Sequence, residues 1–150
     1  MNQPLHFLAA GAALTLSLLC SAAQAQSPGM VDNSLYRALG EKPGLVTLMD
    51  DFMTRLLADA RTAPHFKPAN QQRVKEQLVD QICVVSGGPC VYKGADMKSS
   101  HANLEITRAD FNALVEVLQQ TMDARGIAFG TQNQLLARLA PMHRDTITVR

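Results

Sequence analysis

The chain has 150 residues, 47% of them hydrophobic and 5% aromatic, with no Trp and three Cys. Its 14 Lys and Arg against 13 Asp and Glu leave a formal charge of +1, so no basic surplus argues for nucleic acid. Collagen-like, coiled-coil, disulfide-dense and multi-pass membrane classes fit this composition poorly, and the length suits one domain.

Residues 1–30 hold no Asp, Glu, Lys or Arg. Within them, residues 7–19 (FLAAGAALTLSLL) form an apolar run too short for the ~20 residues of a spanning helix. With the small residues 21–25 (SAAQA) behind it, the run reads as a secretory signal peptide cut after Ala25, which leaves no stable membrane insertion. Cys20 raises a lipoprotein alternative, but bulky Leu19 precedes it where such processing wants a small residue; an uncleaved anchor is a further alternative. Residues 26–33 follow as a flexible leader. Export, to the periplasm, leaves Cys83 and Cys90 as the mature chain's cysteines, and an oxidising compartment favours a disulfide over two free thiols. Their spacing, with no neighbouring His, is poor for zinc.

Residues 34–39 predict a short helix, stopped by Gly40 and Lys42-Pro43-Gly44. From Leu45 onward, Leu48, Met49, Phe52, Met53, Leu56 and Leu57 recur at helical spacing. Residues 60–70 carry two prolines and form a corner whose one aromatic is Phe66. A second amphipathic helix covers 70–85 through Val74, Leu78, Ile82 and Val85, and Gly87-Gly88-Pro89 stops it. A short helix is expected around Met97 and His101. Thr107-Arg108-Ala109-Asp110 is a capping box that opens a helix with Phe111, Leu114, Val115, Leu118 and Met122 inward. Gly126 ends that helix. A last one spans 131–145, with Leu135, Leu136, Leu139 and Met142 inward and a kink or early end at Pro141. Only the tail 146–149 alternates like a strand. The reading is all-α, five or six helices in one domain.

Chemistry-bearing motifs are scarce. The Gly87-Gly88-Pro89 run follows a helix and lacks a phosphate-loop pattern, and neither H-E-x-x-H nor a calcium loop occurs. Ser99-Ser100-His101 has no spacing that suggests a nucleophile with its base and orienter. Asp50 and Asp51 point to different sides of a helix and read as solvated charge. His101 differs from the other histidines in its apolar flank, with Met97 one turn before it and Leu104 three residues after. An imidazole offered by a short helix to an apolar pocket is a common haem-iron ligand, although a lone His, from spacing alone, is more often a satisfied polar residue.

Taken in order, LYRALGEKPGL (35–45), DDFMTRLLAD (50–59), GGPCVYKGADM (87–97), HANLEITRADFNALV (101–115) and LARLAPMHRDTIT (136–148) resemble the group I truncated haemoglobins. The resemblance spans 34–148. It implies a shortened globin fold, a two-over-two helical sandwich around haem b, with His101 as proximal iron ligand. Phe66 matches the corner phenylalanine that stacks on the porphyrin, and Tyr92 and Met97 match positions lining the proximal haem edge. On the distal side, many members place Tyr after the first helix's Phe; here Phe52 is followed by Met53. Counting back from Gly87-Gly88 puts Val74 and Leu78 at the distal positions, Leu78 where a Gln is common, with Ile82 one turn further along.

Met53, Val74 and Leu78 cannot donate to a polarised ligand, and a lost net hydrogen bond is worth ~1 kcal/mol, about fivefold in affinity. Gln77 and Gln81 are candidate replacement donors, lying i, i+4 on the broad distal face. The Met53 thioether is an alternative sixth iron ligand, as Met is in cytochromes, although filling a core gap is the commoner role of Met. The expected function is reversible binding of O2 or another diatomic ligand, with an unidentified redox partner. The rival readings are a haem enzyme, such as a nitric oxide dioxygenase or weak peroxidase, and a haem-free helical interaction module.

Overall fold

The computed structural model describes residues 32–149. The expected signal peptide, Cys20 and most of the expected leader lie outside these residues. Within them every regular element is helical: α1 Ser34–Ala38, α2 Glu41–Ala58, α3 Ala63–Phe66, α4 Gln71–Val85, α5 Met97–His101, α6 Arg108–Ala124, α7 Phe129–Leu139, a 3₁₀ turn Ala140–Met142, and α8 His143–Thr146. The all-α reading therefore holds, and no strand occurs among the described residues. The tail folds back instead, with the Thr148 and Val149 amides donating to the Ile106 carbonyl. None of these helices is long and apolar enough to cross a membrane.

The long helices pair as α2 on α4, α2 on α6, and α6 on α7. The predicted apolar stripes meet in part: Val79 and Val117, outside them, are buried, while Val74, Phe111 and Val115, expected on the apolar faces, are half-buried. Leu45, Leu48, Met49, Phe52 and Leu56 of α2 join Val79 and Ile82 of α4, Val117, Leu118 and Met122 of α6, and Leu135 of α7 in one buried cluster. Each fully buried aliphatic side chain of this kind contributes roughly 1.5–3 kcal/mol of transfer free energy. That burial, more than helix propensity, fixes the register of α2 against α4.

Two boundaries differ from expectation. Helix α2 begins at Glu41, four residues before Leu45, and carries Pro43 in its first turn. First-turn amides have no intrahelical partner, so the N–H that Pro lacks is not missed there. The last helix starts earlier, at Phe129, and ends at Leu139, where Pro141 converts the chain to a 3₁₀ turn before α8. The capping box forms as expected: the Thr107 hydroxyl accepts from the Asp110 amide, and Asp110 accepts from the Thr107 amide.

The end of α4 is the most heavily tied point. Gly87 takes the left-handed conformation at φ 87°. The Gly88 amide donates to the Cys83 carbonyl and the Gly87 amide to that of Val84, the paired bonds of a Schellman cap. The remaining carbonyls are met by other elements, Val85 by the Arg138 guanidinium of α7 and Ser86 by the Tyr36 amide of α1. A Cβ on Gly88 would lie 2.6 Å from both the Cys83 sulfur and the Tyr36 ring, so only glycine fits that approach. Cys83 and Cys90 form the expected disulfide, with a Cα–Cα distance of 5.8 Å. It links the end of α4 to the segment leading to α5.

Candidate haem site

The distal candidates sit on two packed helices. Phe52 and Met53 of α2 are buried, as is Ile82 of α4, while Val74, Gln77, Leu78 and Gln81 of α4 are half-buried. Leu78 and the corner's Phe66 both pack on the cluster that contains Phe52 and Ile82. Phe66 owes its position to Thr62, whose buried hydroxyl donates to the Leu56 carbonyl at 2.8 Å and turns the chain at the end of α2. The neighbouring His65 lies 3.7 Å from Asp110, which ties this corner to the start of α6.

The proximal candidates follow the disulfide. The Tyr92 hydroxyl donates to the Ala95 carbonyl at 2.9 Å, and its ring lies so close over Gly94 that a Cβ there would collide with the phenol oxygen. Burial, followed by the charge of Asp96, pushes the Tyr92 phenol above its usual pKa. Asp96 caps α5 by accepting from the Ser99 amide and hydroxyl, and these bonds hold its carboxyl below the usual range. The Ser100 hydroxyl donates to the Asp96 carbonyl. Both serine hydroxyls thus donate to Asp96 at the start of α5.

His101 closes α5. Its Nδ1 lies 2.7 Å from the Met97 carbonyl oxygen. A carbonyl only accepts, so Nδ1 carries the proton and donates, which leaves the Nε2 lone pair for a metal. A ring oriented by this kind of bond is the arrangement expected of a ligating imidazole. The structure brings Gln81 to the same region: its amide donates to the sulfur of Met97 at 3.4 Å and to that of Met142 at 3.1 Å. Gln81 therefore reaches from α4 to α5 and the 3₁₀ turn.

The C-terminal segment meets the candidate residues in a way the sequence does not signal: Gln81 reaches Met142, and α8 packs on α5. Met142 and Phe111 were assigned to helix core faces, but both are half-buried. Phe111 meets His143 edge-on with ring centroids 4.8 Å apart, and the two line a cleft with Pro141 and Arg144. Pro141 marks only the break, which turns His143 off the α7 axis.

No group of three or more His, Cys, Asp or Glu among the described residues is arranged to hold a metal ion. A single imidazole oriented by a backbone bond, on a short helix whose Met97 thioether is joined to that of Met142 through Gln81, instead suits an iron already held by a macrocycle. The residues present thus fit a haem.

Comparisons with known proteins agree. The family model described as "Bacterial-like globin" matches residues 34–148. The Group 1 truncated hemoglobin GlbN of Mycolicibacterium paratuberculosis is 30% identical over 115 residues, covering 77% of this chain and 85% of that protein. The GlbN of Nostoc commune is 26% identical over 110 residues, covering 73% and 93%. Among solved structures, the truncated hemoglobin of Tetrahymena pyriformis in its Fe(III) form superposes with a TM-score of 0.72 at 25% identity, over 75% of this chain and 97% of that one. The pairs α2–α4 and α6–α7 form the two layers of the two-over-two fold. The chain belongs to the bacterial-like, truncated globin family, whose members hold haem iron and bind diatomic ligands such as O2.

Proposed function

We propose that this protein is an exported haem b globin that binds O2 or another diatomic ligand reversibly, with His101 as the proximal iron ligand. The observation that carries the reading is the 2.7 Å bond from His101 Nδ1 to the Met97 carbonyl, which fixes the tautomer and aims Nε2 away from its own helix. When bound, haem supplies an iron with one open coordination position. The chain's own part is to hold the ring: Phe66 offers an aromatic face, and Tyr92 and Met97 an edge.

The distal side carries the distinction from a dedicated oxygen-activating enzyme. Phe52, Met53, Val74, Leu78 and Ile82 exclude water and give packing but no donor, and Gln81 spends its amide on two sulfurs. Gln77 remains the uncommitted amide on that face. An apolar wall favours exchange of a neutral ligand over charge build-up on it, so reversible binding ranks above nitric oxide dioxygenation or peroxidase turnover. Export is supported by the charge-free first 30 residues and by the Cys83–Cys90 disulfide, which suits an oxidising compartment.

Haem titration of the purified mature chain, then cycles of O2 addition and purging on the reduced protein, tests the reading. A spectrum that returns to its starting form in each cycle supports it. Failure to take up haem, or irreversible oxidation in the first cycle, contradicts it. N-terminal sequencing of the exported protein tests the address, with Gln26 expected as the first residue.

A further inference from the structure

Helix α5 carries His101 but has little of its own to hold it in place. It is five residues long and none of them is buried; Met97 and His101 are half-buried and the three between are exposed. A helix that short is marginal by itself, and without a buried face it gains little from packing. Asp96 fixes where it starts, by accepting from the Ser99 amide, but that bond is local. Its seat on the rest of the protein depends on what reaches it from elsewhere. α8 packs on it, and among the described residues the one hydrogen bond joining it to another helix comes from Gln81 of α4, to the Met97 sulfur at 3.4 Å.

Met97 is also the residue whose carbonyl accepts from His101 Nδ1. One residue therefore orients the imidazole with its backbone while its side chain is held from α4. The second N–H of the Gln81 amide is spent in the same place, on Met142 at 3.1 Å, in the turn that leads into α8. Gln81 thus touches both elements that seat His101. Resting on the proposed haem-globin reading, we propose that Gln81 is a positioning residue for the proximal imidazole. By holding Met97 and Met142 together it sets where α5 sits and, through the Met97 carbonyl, how the His101 ring is turned. Gln81 then belongs to the proximal side, not among the distal donors that its spacing suggested.

The test compares wild type, Gln81→Leu, Gln81→Glu and, as control, Gln72→Leu, which loses an exposed amide bonded only along α4 to Glu76. Gln81→Glu nearly keeps the shape, but its carboxylate has no proton to donate. Hydrogen exchange is followed on the full mature chain, with and without haem, and resonance Raman on the ferrous, ligand-free form. In both Gln81 variants exchange over residues 97–104 should quicken about fivefold, the effect of one net hydrogen bond, while α2 and α6 keep wild-type protection. The iron–histidine stretching band should move and broaden in both, and Gln72→Leu should match wild type. In a Met97→Leu, Met142→Leu background, where both acceptors are gone, Gln81→Leu should add nothing further. Wild-type exchange over 97–104 in both Gln81 variants would overturn the proposal. So would quicker exchange throughout the chain with an unmoved band, the mark of a stability effect alone. A wild-type protein with no iron–histidine band would overturn the proximal reading beneath it, an outcome that the variants do not mimic.

Discussion

Opening the Cys83–Cys90 bond is the perturbation whose size follows most directly from the structure. Cys83 is wholly buried among the core residues of α4, Cys90 packs on the same cluster, and the two are seven positions apart. In the chain-entropy account, closing a loop that short removes about 2.5 kcal/mol of unfolded-state freedom at 25 °C. Against a typical total of roughly 5–15 kcal/mol, that is a substantial share. For a domain of this size it lowers the melting temperature by about 10 °C. Cys90→Ala is the cleaner variant, because Cys83 keeps its buried volume. Thermal unfolding by circular dichroism, with and without reductant, should show wild type falling to the level of Cys90→Ala and the variant not responding. Alkylation and intact mass on the untreated protein should find no free thiol. A wild-type melt indifferent to reductant, or two alkylatable thiols before treatment, would refute the reasoning.

Three further outcomes are expected. Met53→Tyr would put a donor at the proposed distal position, and O2 dissociation followed by stopped flow should slow about fivefold for ~1 kcal/mol of net hydrogen bonding; an unchanged rate would mean that position 53 does not face the ligand. Asp110 has its carboxyl held below the usual range, first by the Thr107 hydroxyl and then by the Thr107 amide. Its contribution is therefore present above the unfolded carboxylate pKa and is lost as pH falls through the folded one. Asp110→Asn should cost about 1 kcal/mol near neutrality, as lost caps do, and denaturant titrations should show the gap closing in acid. Gly88→Ala forces a Cβ to within 2.6 Å of the Cys83 sulfur and the Tyr36 ring. It should destabilise by about 1–3 kcal/mol, as overpacking does, and a neutral result in urea melts would show that this junction yields.

What the sequence disclosed divides along local and non-local lines. The capping box at Thr107, the stop at Gly87 and the break at Pro141 are signals within a few residues, and each appears where the pattern placed it. Pro43 shows how such a signal misleads: read as a stop, it sits in the first turn of α2, where proline is tolerated. The long-range contacts around the candidate residues are different in kind. Gln81 reaching Met142, and Lys75 reaching Asp50, join residues 61 and 25 positions apart, and no periodicity encodes them. His101 lies between these cases. Its bond to Met97, four residues back, is a helical spacing visible in the sequence, but the iron-binding role proposed for this lone imidazole rests on the ordered family motifs around it.

The most direct measurement of the central claim is haem titration of wild type, His101→Gly, and His101→Gly with added imidazole, followed by absorption spectra of the ferrous forms. Removing the side chain takes away the proposed iron ligand while leaving Phe66, Tyr92 and Met97 in place. The expected result is loss of the wild-type ferrous spectrum in His101→Gly and its recovery with imidazole. A His101→Gly protein whose ferrous spectrum and haem affinity match wild type without imidazole would contradict the proximal assignment.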